Sequence, residues 1–279
     1  MSNQQEQEYL NLIKNILLNG NDKKDRTGIG TKSIFGAMLK FSLKNNTIPL
    51  LTTKKMFTKG IIEELLFFIR GETDTKKLEE LGVNIWKGNT SKEFLQSRGL
   101  NYKEGEMGDM YGKIWRDWNG FDQLQNAIDL IKKDPSSRRI LVSAWNVDKL
   151  ETGVLYPCHY SFQFNVNDGK LSCMFNMRST DCGLGLPYNI ASYAILTHLV
   201  AKLTNTVADE LVFSGGDVHI YNNHIDALNE QINRVPYDFP KLNINKNINN
   251  LKDVENMSSN DFEIIDYKSH SPIKMVMAI

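Results

Sequence analysis

Cys158 follows a proline in Leu155-Tyr156-Pro157-Cys158-His159, and an arginine, Arg178, closes the patterned stretch that comes next. Between the two, Tyr160, Phe162, Phe164 and Val166 alternate with Ser161, Gln163 and Asn165. Leu171, Cys173, Phe175 and Met177 then alternate with Ser172, Met174 and Asn176. A period of two specifies half-buried strands, and Asn167-Asp168-Gly169 between them is a hairpin turn. The hairpin carries a thiol at the start of one strand to a guanidinium at the end of the other. A soft nucleophile beside a fixed cation suits an electrophile that carries a phosphate.

Other stretches hold groups of complementary chemistry. Asp25-Arg26-Thr27-Gly28-Ile29-Gly30-Thr31 is a glycine-rich loop with one arginine. It is able to wrap a phosphate, or to serve simply as a turn. Arg138-Arg139 precede a strand at Ile140–Trp145. Adjacent strand side chains diverge, so both reach one anion only from just before the strand; otherwise they are a solvated pair. Glu63 and Glu64 lie in Gly60–Gly71, a run apolar almost all round and therefore a buried helix. Either both carboxylates face a groove of solvent, or one lines a pocket where burial tunes it for proton transfer. Gly183-Leu184-Gly185-Leu186-Pro187-Tyr188-Asn189 is a tight loop ending at a helix N-terminus, where free N–H groups gather. Gly215–Tyr221 sets His219 and Tyr221 on one face of an extended segment. Trp86 reads as core, and Tyr111 lies in a turn-rich stretch from which its hydroxyl could reach a site.

The positioning elements follow from periodicity. Leu10, Ile13, Ile16 and Leu17 mark one helical face after a polar, frayed start at residues 1–8. Phe121, Leu124, Ile128 and Ile131 mark a second, stopped at Asp134-Pro135; Ile225, Leu228 and Ile232 mark a third. The end, Ser271–Ile279, is apolar and has to dock to be ordered. The chain has 279 residues, 41% hydrophobic and 24% charged, which fits one large α/β domain or two small ones. Its formal net charge is zero, so no overall field draws nucleic acid or a membrane, and local arginines must do any anion binding. An odd count of three cysteines fits a reducing compartment rather than a disulfide framework. With no apolar leader and no apolar run near the roughly 20 residues that span a bilayer, the expectation is a cytoplasmic protein. No metal-ligand spacing, nucleotide-binding fingerprint or repeat is present.

Taken together, Asp25-Arg26-Thr27-Gly28, Arg138-Arg139, Pro157-Cys158-His159, Gly185-Leu186-Pro187-Tyr188-Asn189-Ile190-Ala191-Ser192-Tyr193 and Gly216-Asp217-Val218-His219-Ile220-Tyr221 resemble the folate-dependent, cysteine-nucleophile thymidylate synthase family. The resemblance runs from Asp25 to Ala278-Ile279. It implies an α/β (α+β) fold over a single domain, 1–279, built on a large mixed β-sheet covered by helices and dimerising through the sheet face. It implies that Cys158 adds to C6 of dUMP, with Glu64, Tyr111 and Asp181 as further catalytic groups. Arg26, Arg178, Ser179 and Thr180 match the phosphate side of the dUMP site. Arg138 and Arg139 match a pair that serves the phosphate of the neighbouring subunit of a homodimer. Asn189 matches the amide reading the uracil edge, and His219 and Tyr221 the ligands of the deoxyribose hydroxyl. Lys54, Phe57, Ile85, Trp86, Asp181, Leu184, Gly185, Tyr188 and Ala278 match the folate site, closed by the Ile279 end. The co-substrate implied is 5,10-methylenetetrahydrofolate, without a metal. Arginines around a dianion also favour the thiolate of Cys158 by lowering its pKa.

The chain departs from the family pattern at several positions. Asp109 stands where proline is common, Ile114 where glutamine is usual, and Lys87 follows Trp86 where an acidic residue is common. Asn176-Met177 replace Tyr-Gln, and Phe67 a common Trp. These raise a sister activity, hydroxymethylation of dUMP or less readily dCMP, in which water captures the methylene. Asn189 argues for the methylase, because an amide pairs with uracil's donor–acceptor edge while an acid suits cytosine. Trp86 and the apolar tail argue the same way. A cysteine hydrolase is disfavoured, since Cys158 and His159 are adjacent on a strand and face apart. A nucleic-acid-binding role lacks a basic face.

Overall fold

The computed structural model describes residues 3–278. In chain order its elements are α1 (Gln4–Asn19), β1 (Asn21–Lys23), β2 (Thr31–Ser42), α2 (Thr58–Ile69), α3 (Lys76–Glu80), α4 (Lys92–Ser97), α5 (Gly112–Arg116), α6 (Gln123–Lys133), β3 (Leu141–Ser143), β4 (His159–Asn167), β5 (Lys170–Asp181), α7 (Gly185–Thr204), β6 (Val207–Tyr221), α8 (Ile225–Gln231), β7 (Lys241–Ile244), α9 (Leu251–Glu255) and β8 (Phe262–Ile265).

The expected hairpin supplies the fourth and fifth strands of a mixed six-stranded sheet of order β1-β2-β6-β5-β4-β3. Asp168 and Gly169 both take positive φ, 49° and 72°, as a two-residue turn matched to strand twist requires. Register places Phe162 opposite Phe175 and Phe164 opposite Cys173, so the apolar sets of both strands share one buried face. β5 and β6 run parallel, and α7 makes the long connection that a parallel pair needs. That helix is buried along nearly its whole length. Its Tyr193 ring stacks on Phe175 at 4.5 Å, while Trp115 of α5 packs edge-on against Phe162 at 5.0 Å. Burying each such ring contributes about 2 kcal/mol relative to exposure. The opposite face of the sheet is uncovered: Phe35 is 86% and Met38 57% exposed on β2, and Leu141 is exposed on β3.

Residues 3–8 are not frayed. α1 begins at Gln4, capped by the Asn3 side chain on the Glu6 N–H. Glu6 is fully buried and accepts from the backbone N–H and hydroxyl groups of Thr52 and Thr53. Burial raises its pKa, and the threonine bonds hold that rise back. The polar composition of this segment misled because its partner is a loop distant in sequence. α2 is buried as expected, and both of its glutamates are buried with it. No described helix is long and apolar enough to cross a membrane.

Candidate active site

Cys158 stands half-buried at the mouth of β4, and the end of β5 comes to it as the hairpin requires. The Arg178 backbone N–H donates to the Cys158 carbonyl at 2.9 Å. Its Nε donates to the Pro157 carbonyl at 2.9 Å and its Nη2 to the Tyr156 carbonyl at 2.8 Å. The guanidinium is thereby pinned to the loop that carries the thiol. Beneath them, the Tyr111 hydroxyl oxygen accepts the Cys158 N–H at 2.9 Å, and its ring stacks on His159 at 4.0 Å. Burial pushes His159 down to about 3, so this imidazole is neutral; its Nδ1 lies 2.8 Å from the Tyr193 hydroxyl. It faces the core and not the thiol, which removes the hydrolase arrangement.

Burial raises the pKa of Cys158, and Arg178, Tyr111 and Arg26 only offset this in part. The arginines lower it as expected, but two guanidiniums do not outweigh desolvation of the thiolate.

A cavity of about 480 Å³ opens over Cys158, lined by Arg26, Arg178, Ser179, His219 and Tyr221 among others. Its acids are engaged elsewhere. Asp25 accepts from the Thr27 N–H at 3.0 Å and the Gly30 N–H at 2.8 Å and so shapes the glycine loop. Asp217 sits between Lys23, at 2.8 Å, and His219 Nδ1, at 3.0 Å. Arg26 and Arg178 are left facing a space fit for an anion carrying a sugar.

A second group of predicted residues gathers beyond the nucleophile. Glu64 Oε1 accepts from the Trp86 indole at 2.8 Å, and burial pushes this carboxyl up to about 7 against that bond. Lys54 is buried and donates to the Gly183 carbonyl; burial pulls it down to about 8 despite Asp181. Asp181 ends β5 and accepts from the Gly183 N–H at 2.8 Å and the Leu184 N–H at 3.1 Å, just ahead of α7. Ile85, Leu184, Gly185, Tyr188 and Asn189 are half-buried, the last near the start of α7.

Some predicted residues stand apart. Arg138 and Arg139 are exposed before β3 and do not line the cavity. Phe57 is half exposed at the start of α2. Thr180 is buried, and its hydroxyl lacks a hydrogen-bond partner. Ala278 is half-buried, and Ile279 lies outside the described residues. His224 was missed. It is buried, with Nε2 on the Val276 carbonyl at 2.7 Å and Nδ1 3.7 Å from Asp181. A third polar residue following His219 and Tyr221 was the available signal.

Comparison with known proteins places this geometry. Residues 7–279 match the family model described as thymidylate synthase. The chain is 49% identical to "Thymidylate synthase 1/2" of Encephalitozoon cuniculi, covering 98% of this chain and 97% of that one. It is 48% identical to the "Bifunctional dihydrofolate reductase-thymidylate synthase" of Leishmania major, covering 99% of this chain and 56% of that one. It is 45% identical to the "Probable thymidylate synthase" of Schizosaccharomyces pombe, covering 99% and 48% respectively. The chain thus spans about half the length of the bifunctional relatives and nearly all of the first.

Proposed function

This chain belongs to the thymidylate synthase family, and from that premise we propose that it catalyses reductive methylation of dUMP to dTMP with 5,10-methylenetetrahydrofolate. The carrying observation is Cys158 in one cavity with Arg26, Arg178, Ser179, His219 and Tyr221. Arg26, Arg178 and Ser179 serve the phosphate, while Thr180, buried on the other face of β5, does not reach it. His219 and Tyr221 hold the deoxyribose hydroxyl, and the Asn189 amide reads the uracil edge. A bound phosphate dianion lies against the arginines while the base covers the thiol. Cys158 Sγ then adds to C6, and C5 becomes the carbon nucleophile. Glu64, poised near neutrality, moves protons at the base through water, and Tyr111 assists loss of the C5 proton.

The residues present suit a reduced folate. Asp181 offers a buried carboxylate to ring N–H groups, and its pKa stays low: burial opposes ionisation, but His224 and the Gly183 N–H outweigh it. Trp86, Ile85, Leu184, Gly185 and Tyr188 give apolar walls, Lys54, Phe57 and Ala278 stand at the mouth, and the 271–278 segment closes it. When bound, methylenetetrahydrofolate supplies both the one-carbon unit and the hydride. The protein's task is to orient it and to keep water from the methylene.

Arg138 and Arg139 complete the phosphate site of a second copy, so the working unit is a homodimer joined through the exposed sheet face of Phe35 and Met38. Each copy is a single catalytic domain spanning 1–279. The departures at Lys87, Asp109, Ile114 and Met177 do not redirect the product. Asp109 is occupied with Thr152 and Lys149 at the surface, and each relative above is named as a thymidylate synthase.

The test is incubation of the full chain with dUMP and methylenetetrahydrofolate. Dihydrofolate absorbance rises and the product has the mass of dTMP. A hydroxymethyl product without that rise would overturn the reading.

A further inference from the structure

His224 has an acceptor at each ring nitrogen. Nε2 lies 2.7 Å from the Val276 carbonyl, which can only accept, and Nδ1 lies 3.7 Å from the Asp181 carboxylate. Nδ1 is buried and has no closer partner. A neutral imidazole carries one proton and can satisfy only one of these neighbours. With the proton on Nε2, a lone pair faces a carboxylate. With the proton on Nδ1, a lone pair faces a carbonyl at hydrogen-bond distance. Only the imidazolium presents a proton to both, as a hydrogen bond to Val276 and as an ion pair with Asp181.

Packing is tight around the same point. A Cβ added at Gly183 would lie 2.8 Å from His224 Nδ1, 3.1 Å from Met275 Sδ and 3.2 Å from Asp181 Oδ1. The bare glycine admits the histidine, the aspartate and the tail methionine together. The tail is held again by Asn223 Nδ2 on the Val276 carbonyl at 3.3 Å. Beyond Asp181, the groups facing the imidazole are Lys54 from the loop before α2 and the Tyr221 ring from β6, at 5.8 Å.

We propose that His224 is a positioning residue which, doubly protonated, ties Asp181 to the Val276 carbonyl, so that closure of the C-terminal segment is coupled to one proton. When the second proton leaves, the negative charge of Asp181 at 3.7 Å retains the remaining one on Nδ1, and the tail loses its donor. Burial opposes the charged ring, but Asp181 and the Val276 carbonyl raise its pKa overall, while Lys54 pulls the other way. A raised value in the closed state makes closure strongest below the ordinary 6.5 and weakens it as pH climbs through the closed-state value. The catalytic consequence rests on Asp181 being a folate ligand; the tie itself does not.

The test uses the full chain with ¹⁵N-labelled histidine and ¹³C-methyl methionine. Below the ordinary 6.5 both His224 nitrogens should carry protons. The Met275 methyl should shift from a docked to a free signal on raising the pH, with the midpoint of the His224 titration. His224→Gln keeps one donor but cannot titrate, and should leave the Met275 signal independent of pH. Gly183→Ala should give the free signal at every pH. In turnover, the folate KM of the wild type should rise about tenfold over the same range while kcat changes little, the scale of one hydrogen bond to a charged group, and His224→Gln should abolish that rise. A singly protonated His224 below 6.5, or a Met275 signal that does not follow its titration, overturns the tie. Absence of dTMP formation with the NMR behaviour intact would instead count against the proposed reaction.

Discussion

At the residue scale, Glu64 shows how a helix interior tunes a functional group. It sits on a buried face of α2 with a single donor, the Trp86 indole. Desolvation dominates, and the carboxyl rises from 4.5 to about 7. The folded state therefore binds a proton that the unfolded state has released between those values. Stability falls as pH rises from 4.5 towards 7 and is level beyond. Glu64→Gln keeps the acceptor for Trp86 without the ionisation. Its thermal midpoint should exceed that of the wild type by a margin that grows across this window, equivalent to a few kcal/mol at the top. Its turnover should drop by 10²-fold or more, roughly the worth of a proton-transfer group. A constant difference in midpoint would show that the carboxyl does not titrate there. Cys158 carries a sharper expectation. 5-Fluoro-dUMP with methylenetetrahydrofolate should add to the intact mass of the wild type and not to Cys158→Ser, because fluorine cannot leave C5 as the proton does.

At the element scale, the site depends on how α2 and α5 meet. Tyr111 takes a φ of 37°, a strained value for a bulky residue, immediately before α5. What holds it is the contact below. A Cβ on Gly112 would lie 2.2 Å from the Phe68 carbonyl oxygen, so only glycine lets the two helices approach this closely. The Phe68 ring then packs 5.1 Å from Tyr111. Gly112→Ala should lower stability by about 2 kcal/mol or more, a fall of roughly 4 °C or more in Tm for a chain of this size. It should also reduce kcat by displacing the Tyr111 hydroxyl from the Cys158 N–H. An unchanged Tm in calorimetry would mean the helices can part without cost.

At the scale of the whole molecule, one sheet face is covered by helices and the other is open. Phe35 and Met38 stand exposed on β2, and the pair Arg138-Arg139 is exposed just ahead of β3, at the far edge of the same sheet. A second copy across that face would bury the apolar residues and bring two more guanidiniums to a phosphate. Phe35→Asp should therefore run as a monomer in sedimentation and lose dTMP formation. Arg138→Ala should remain dimeric and raise the KM for dUMP about tenfold or more, the loss of a charge-assisted bond. A fully active monomer would remove the need for the partner.

Local chemistry made part of this protein legible from its sequence. The β4–β5 hairpin was readable because period-two alternation and an Asp-Gly turn are rules between near neighbours. Those rules alone brought Cys158 to Arg178. The buried character of α2, the loop at Arg26 and the start of α7 were readable for the same reason, and the resemblance named the roles. Tertiary structure decided the rest. Burial of Glu6 against Thr52 and Thr53, the net rise of Cys158 despite its arginines, and the seat of His224 between Asp181 and Val276 depend on segments far apart in the chain. Desolvation is a property of everything packed around a group, and no spacing along one strand or helix records it.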